Sequence, residues 1–441
     1  MSQTVTTVTD LYLELLVVPE KKTPRTVVHK AGRLSPIEYN SQDSTMSPVL
    51  PFDITALIID TVGENKDTYL LKELALVSHS FHQICSKHLF ATIDLHDAEP
   101  SFHLASSKKG FIKLLKSRPD IVKHIRKLTY KVSHYIINND HLLSPILLNF
   151  LPTYSRLNCL TINASLRDWN TLDSSLTSAF LHLMRLPTIN HIELSYIQNF
   201  PLSSLTSSVN LHRLGISHLT HFDPRSEDGS FENIQSETAP QIRESHISGS
   251  SELLQQNGRP AFNFMALRRL SITFTSCGGK RNIRYLLQNA KLLEKLRLSV
   301  DHDLGLVGLL SHNARTLKVL DLTVFLYHSS VPPLAGLCEE LEAMAEHNML
   351  EALFLEFAAG SYETEDYIGS AMQEVEKVLV KPGWSALRQV SLKLSLASGR
   401  NSEKLFKALH FLPDKYLSHL LKLESVAFNF SAYVEPDQNI F

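Results

Sequence analysis

One short template recurs from about residue 120 onward: an aliphatic residue, two mostly polar ones, an aliphatic residue, a variable position, and a last aliphatic or aromatic. It reads Ile125-Leu128-Tyr130, Leu157-Leu160-Ile162, Ile189-Ile192-Leu194, Leu211-Leu214-Ile216, Leu267-Leu270-Ile272, Leu293-Leu296-Leu298, Leu317-Leu320-Leu322, Leu350-Leu353-Leu355, Leu387-Val390-Leu392 and Leu423-Val426-Phe428. Successive copies begin 22 to 37 residues apart, except for one gap of 56 between Leu211 and Leu267. Three apolar positions say little in a chain that is 43% apolar. The spacing carries the weight, because each copy follows a helical-looking segment at a period typical of strand-and-helix solenoids. The alternation in Leu267 to Phe274 or Leu317 to Val324 fits a short strand, and Pro333 to Glu346 or Ser402 to Leu412 supplies an amphipathic helix between strands. That order forces parallel pairing with right-handed crossovers, so the fold class is α/β with a parallel sheet.

Each repeat leaves its apolar face uncovered until a neighbour stacks on it, so residues 96–441 are expected to behave as one solenoid. The long gap holds a polar stretch, Asp223 to Pro260, with seven acidic residues and three arginines. It reads as a solvated insert between two repeats; the competing reading is a partner-binding loop open to phosphorylation at Ser226 or Ser250.

The N-terminal region has a different texture. Residues 1–48 mix Thr, Ser, Pro and balanced charges without a sustained period, which predicts a mostly disordered arm. From Leu50, the residues Ile54, Leu57, Ile58 and Val62 recur at helical steps after Pro51, whose missing N–H costs nothing in a first turn. Asp53 favours the same helix end, and Gly63-Glu64-Asn65 closes it. Leu70, Leu74, Val77, Phe81 and Ile84 then mark the stripe of a second helix, with Leu71, Ser78, Cys85 and Leu89 beside it. Two such helices in some 40 residues make little core alone, so residues 49–95 are expected to form a helical module that needs a partner surface.

These residues carry a resemblance. Leu50-Pro51-Phe52-Asp53-Ile54, then Ile58-Ile59, then Leu71-Lys72, Leu74, Leu76-Val77-Ser78 and Phe81 look like the F-box motif, with Asp53 for the commoner Glu and Phe81 for the commoner Trp. The run through His88 to Leu95, Phe111 to Leu115 and Ile125 to Leu128 is similar to fungal F-box proteins with irregular leucine-rich C-terminal halves. The resemblance implies that Leu50, Pro51, Ile54, Ile58, Ile59, Leu74, Val77 and Phe81 bind a Skp-type adaptor of a cullin–RING ubiquitin ligase, with the solenoid holding a protein substrate. The copies lack the Asn or Cys three places after the last aliphatic of a regular leucine-rich repeat, so their turns must differ. The bland reading of the same stretch is a hairpin that merely caps a structural repeat scaffold.

Chemistry has little foothold. Cys277-Gly278-Gly279-Lys280 resembles the end of a P-loop, but Phe274 and Arg281 stand where a glycine and a hydroxyl are needed. Gly215-Ile216-Ser217-His218-Leu219 begins a nucleophile elbow but has Leu219 in place of the second glycine. His79 and His82 lie a turn apart with no acidic neighbour, and read as solvated rather than metal-binding. Lys108 to Lys131 is rich in basic residues with Phe111 and Tyr130 inside it, and reads as a solvated helix and strand rather than a nucleic-acid surface. The 43 basic and 45 acidic residues nearly cancel, which argues against bulk binding to nucleic acid or anionic membrane. Four scattered cysteines and no signal-like or long apolar segment point to a cytoplasmic or nuclear protein. The expected function is therefore non-catalytic, with no cofactor or metal. Specificity is expected from residues between the repeated aliphatics, such as Arg268, Arg269, Glu294, Lys295, Lys318 and Arg388.

Overall fold

A computed structural model of the chain describes residues 51–96, 108–132, 140–149, 151, 156–219, 240–249, 255–256, 259–260, 262–273, 280–301, 307–326, 336–345, 348–359, 365–396, 406, 409 and 411–434. The N-terminal arm, Leu50, Cys277, Ser226, Ser250 and much of the polar insert lie outside the described residues. The chain divides into two compact units, one ending at Leu157 and the other beginning at Asn158. Both are α/β.

The first unit opens on helices α1 (Phe52–Glu64), α2 (Thr68–Val77) and α3 (His79–Leu89). Pro51 and Asn65 bound α1 as their chemistry requires, with Asp53 in the first turn. The expected second helix is instead two. Ser78 breaks it: its backbone is extended, at φ −158° and ψ 167°, and its hydroxyl accepts from the Phe81 N–H at 3.3 Å, which makes it the N-cap of α3. The break resets the helical phase. Leu71 and Cys85 are therefore buried, whereas Leu70 and Val77, assigned to the inner stripe by periodicity, are exposed. The module's core is small: Ile59, Leu71, Ala75, Ile84 and Cys85, with Ala56, Val62, Leu74, Phe81 and Leu89 packed at its margin. One polar clamp fixes α1 to α3. Asp60 bonds Lys87 Nζ at 2.6 Å and His88 Nε2 at 2.8 Å. The His88 ring lies so close over Gly63 that a Cβ there would clash with it.

Strands β1 (Thr92–His96) and β2 (Lys127–Lys131) follow in the same unit and pair in parallel, Ile93 opposite Leu128 and Leu95 opposite Tyr130. Helices α4 (Lys108–Ser117) and α5 (Asp140–Asn149) accompany them. The basic stretch is only partly solvated. Phe111 and Tyr130 are buried, and Lys108 is buried too, its Nζ donating to the Tyr130 hydroxyl at 2.5 Å and lying 4.4 Å from the ring centre.

The second unit is a parallel ladder of ten strands that add in chain order: β3 (Cys159–Asp168), β4 (His191–Gln198), β5 (Arg213–Ser217), β6 (Glu244–Ser248), β7 (Arg269–Thr273), β8 (Lys295–Asp301), β9 (Val319–Leu326), β10 (Ala352–Ala359), β11 (Gln389–Leu396) and β12 (Ala427–Val434). Helices α6 (Ser174–Met184), α7 (Lys280–Asn289), α8 (Leu337–Ala345) and α9 (Glu365–Leu379) fall between strands. This architecture is compatible with a leucine-rich-repeat-like solenoid. Every template residue from Leu157 to Leu392 is at most 2% exposed. A backbone device repeats with them: two consecutive N–H groups at the start of one repeat share a single carbonyl of the repeat before. His212 and Arg213 share Asn190 O, Glu294 and Lys295 share Arg268 O, and Lys318 and Val319 share Glu294 O.

The polar insert contains a repeat that the template missed. Strand β6 pairs with β5 and β7 through Glu244 to Ser248. Its register places Ser245 opposite Leu214 and Leu270, where the other copies carry an aliphatic, between the buried Ile242 and Ile247. Ser245 is tolerated there because its hydroxyl donates to Leu214 O at 3.1 Å. The apparent gap of 56 is thus two ordinary steps.

The missing turn asparagines have substitutes ahead of the strands. Ser208 Oγ donates to Met184 O at 2.7 Å, Asn313 Nδ2 to Ala290 O at 2.8 Å, and Asn348 Nδ2 to Ala345 O at 2.9 Å and Gly383 O at 3.0 Å. Two buried carboxylates tie helices to short 3-10 turns in the same way. Glu340 accepts from the N–H groups of Gly308, Leu310 and Ser311, and Glu376 from those of His419 and Leu420. In β12 the pattern relaxes: Leu423, Val426, Phe428 and Phe430 are only half-buried.

Candidate functional site

Two surfaces stand out, one on each unit. On the first, α1 and α2 expose Phe52 (59%), Ile54, Leu57 (65%), Ile58, Tyr69, Leu70, Leu76 and Val77 (65%). Their exposure follows from geometry. A helix has one face toward a core, and here that face is taken by Thr55 and Ile59 on α1 and by Leu71 and Ala75 on α2. The remaining apolar side chains have no room inside so small a core. Eight large apolar residues at the surface within 26 positions form a patch of the kind that marks an interaction site.

The residues that the F-box resemblance implies divide across this geometry. Pro51, Ile54, Ile58 and Val77 lie exposed, Leu74 and Phe81 sit half-buried at the core margin, Ile59 is inside the module's own core at 1% exposure, and Leu50 lies outside the described residues. Phe52, Leu57, Tyr69, Leu70 and Leu76 belong to the same exposed patch and are not among the implied residues. The signal for Leu57 and Leu70 was present as helical spacing. It could not say which side of each stripe faces in, because that depends on how the three helices pack, with Thr55 and Ile59 inward on α1 and Leu71 and Ala75 inward on α2.

The second surface is the open face of the ladder, formed by the residues that alternate with the buried aliphatics. Its middle is a groove of about 850 Å³ spanning β3 to β9. One row across it, in register, reads Thr161, Glu193, Gly215, His246, Ser271, Arg297 and Asp321. Each occupies the variable position of the template. A second row, two residues on, is hydroxyl-bearing over six neighbouring strands: Ser195, Ser217, Ser248, Thr273, Ser299 and Thr323. Gly215 forms a low point in the first row, where a Cβ would come within 3.0 Å of the Glu193 side chain. Of the residues expected to set specificity, Arg269 and Lys295 line the groove, whereas Arg268, Glu294, Lys318 and Arg388 stand at the turns before the strands.

Charges in the groove are interlaced. Glu244 lies between Arg213 at 2.8 Å and Arg269 at 2.9 Å, and Arg297 approaches Asp321 at 3.4 Å. Further along the face Glu356 bonds Lys393 at 2.7 Å and the Tyr433 hydroxyl at 2.9 Å. Burial pushes the Glu356 carboxyl upward, but these two hydrogen bonds outweigh it and hold the group below its usual range. Burial also pushes His246 down, which favours its neutral form. At the other end, Cys159 Sγ lies 3.3 Å from His191 Nδ1, His191 Nε2 lies 3.1 Å from Glu193 Oε1, and the Thr161 hydroxyl donates to Glu193 Oε2 at 2.9 Å. The hydrogen bond to Cys159 first, and then that to Glu193, raise His191 to about 9. These groups form a chain rather than converge on a point, and among the described residues no group of three or more His, Cys, Asp or Glu is placed to hold a metal ion. Among the described residues, no helix is long and apolar enough to cross a membrane.

No protein-family model matches the chain, and no curated protein matches it by sequence.

Proposed function

We propose that the protein is a non-catalytic substrate receptor of a Skp–cullin–F-box ubiquitin ligase, docking a Skp-type adaptor on the α1–α2 patch and a protein substrate on the open face of the ladder. The observation that carries this reading is the exposure of Phe52, Ile54, Leu57, Ile58, Tyr69, Leu70, Leu76 and Val77 in a module whose own core is a handful of side chains. A solvated patch of this composition is costly unless a partner covers it. It coincides with the stretch whose Leu50-Pro51, Ile58-Ile59 and Leu76-Val77-Ser78 resemble the F-box motif. In such a complex the chain contributes proximity: it holds a target lysine near a charged ubiquitin carrier and performs no bond chemistry itself.

Co-expression with a fungal Skp-type adaptor tests the reading. The wild type is expected to co-purify as a stable complex. Ile58→Asp with Val77→Asp is expected to lose it, at about 2 kcal/mol or more per buried anchor, while the melting transition stays in place because both side chains are solvent-exposed in the free chain. No complex with the wild type, and a lowered melting temperature in the double variant, is the outcome that replaces this reading with a capping hairpin on a scaffold.

A further inference from the structure

The chain Cys159–His191–Glu193 lies at one end of the groove, with His191 and Glu193 in its lining, and its chemistry does not rest on the docking function proposed above. Three described cysteines have different surroundings. Burial alone, in Cys85, and burial followed by the carboxylates of Glu374, Glu342 and Glu339, in Cys338, raise those thiols to about 11. Cys159 instead meets an imidazole nitrogen at 3.3 Å, and the far nitrogen of that ring meets a carboxylate at 3.1 Å. Thr161 fixes the carboxylate's second oxygen at 2.9 Å. Because His191 is raised to about 9, both ring nitrogens carry protons at neutral pH: Nε2–H donates to Glu193 and Nδ1–H faces the Cys159 sulfur. Arg213 is the next charged group in register beside His191, but it is committed to Glu244 at 2.8 Å.

We propose that Cys159, held against the His191–Glu193 pair, is a nucleophilic cysteine and a site of reversible oxidation by hydroperoxides. The His191 imidazolium, balanced by Glu193, stabilises the negative charge that develops on sulfur as the thiol proton leaves. With hydrogen peroxide, the sulfur attacks one oxygen, the S–O bond forms and the O–O bond breaks. The leaving hydroxide takes the thiol proton and departs as water. The cysteine is oxidised to sulfenic acid and the peroxide is reduced. Cys159 is only 7% exposed, which selects small oxidants over bulky ones. Because His191, Glu193 and Thr161 line the groove, oxidation alters the polarity and hydrogen bonding at its end.

Full-length protein is treated at neutral pH with hydrogen peroxide while folded, then unfolded with dimedone present, and adducts are assigned to individual cysteines by mass spectrometry. In parallel, alkylation of Cys159 by iodoacetamide is followed against pH. The adduct is expected at Cys159 ahead of Cys85 and Cys338, with Cys159 also alkylated faster than either. His191→Gln removes the charge beside the sulfur and is expected to slow both reactions about tenfold. Glu193→Gln keeps the side-chain shape and is expected to give a smaller loss in the same direction. Thermal melts confirm that each variant is folded. Absence of a Cys159 adduct in folded wild type, or rates unchanged in both variants, overturns the proposal.

Discussion

The α1–α2 hairpin and the ladder are built from the same kinds of apolar residues, with opposite fates. In the ladder, template residues from Leu157 to Leu392 are at most 2% exposed, whereas Leu57 and Val77 of the hairpin are each 65% exposed. Composition does not separate them; neighbours do. A solenoid repeat is covered on both sides by copies of itself, so its apolar face is satisfied within the chain. The hairpin stacks on no copy of itself, and its surplus apolar surface remains available to another molecule. The last strand supports the same rule from inside the ladder: Val426, Phe428 and Phe430 occupy template or alternating positions, yet are half-buried because β12 is paired only with β11 among the described residues.

The largest effect that would break this contrast is in the core. Leu320→Ala is expected to cost about 2–5 kcal/mol, and Leu57→Ala close to nothing, in denaturant unfolding. Similar costs at both positions would mean that the hairpin patch is covered within the folded chain. Next come the buried carboxylates. Glu340→Ala strips the partner from three backbone N–H groups and is expected to cost about 1–3 kcal/mol, with hydrogen exchange rising first around Leu310 and Ser311.

The two regions should also respond oppositely to pH. Lys87 first, and then His88, hold Asp60 below its usual value, so the clamp is present above the ordinary carboxylate range and is lost as pH falls through the depressed value. His191 is raised to about 9, so its contribution is full below the ordinary imidazole value and is lost as pH rises through about 9. Asp60→Asn should flatten the acid limb of the stability profile, and His191→Gln the alkaline limb. Smallest is the turn pair Arg268–Glu294, 3.0 Å apart but both more than a third exposed. A double-mutant cycle there is expected to return about 0.2–1 kcal/mol, falling with added salt.

Much of the ladder was legible in the residues. The template identified nine of its ten strands and the inward face of each, because a strand's side chains alternate and burial of one face imposes period two. The tenth, β6, was hidden by Ser245. A hydroxyl counts as polar in a sequence pattern, and only the adjacent carbonyl of Leu214 makes it acceptable inside. Lys108 was hidden for the same reason, since its charge predicts solvent, yet it is buried with its ammonium on the Tyr130 hydroxyl and over the Tyr130 ring.

The candidate surfaces were less legible than the fold. Helical spacing in residues 50–90 announced apolar helices and a shortage of core, but the break capped by Ser78 and the packing of three helices around Ile59, Leu71 and Cys85 were not in that spacing. The groove depends on register: Thr161, Glu193, Gly215, His246 and Arg297 are separated by many residues along the chain and become neighbours only when their strands pair. The sequence by itself determined the repeating α/β plan, because hydrophobic periodicity is a local property fixed by backbone geometry. Tertiary structure alone decided which polar groups are buried with partners and which side chains meet across strands, because hydrogen bonding and charge pairing there join residues that the chain places far apart.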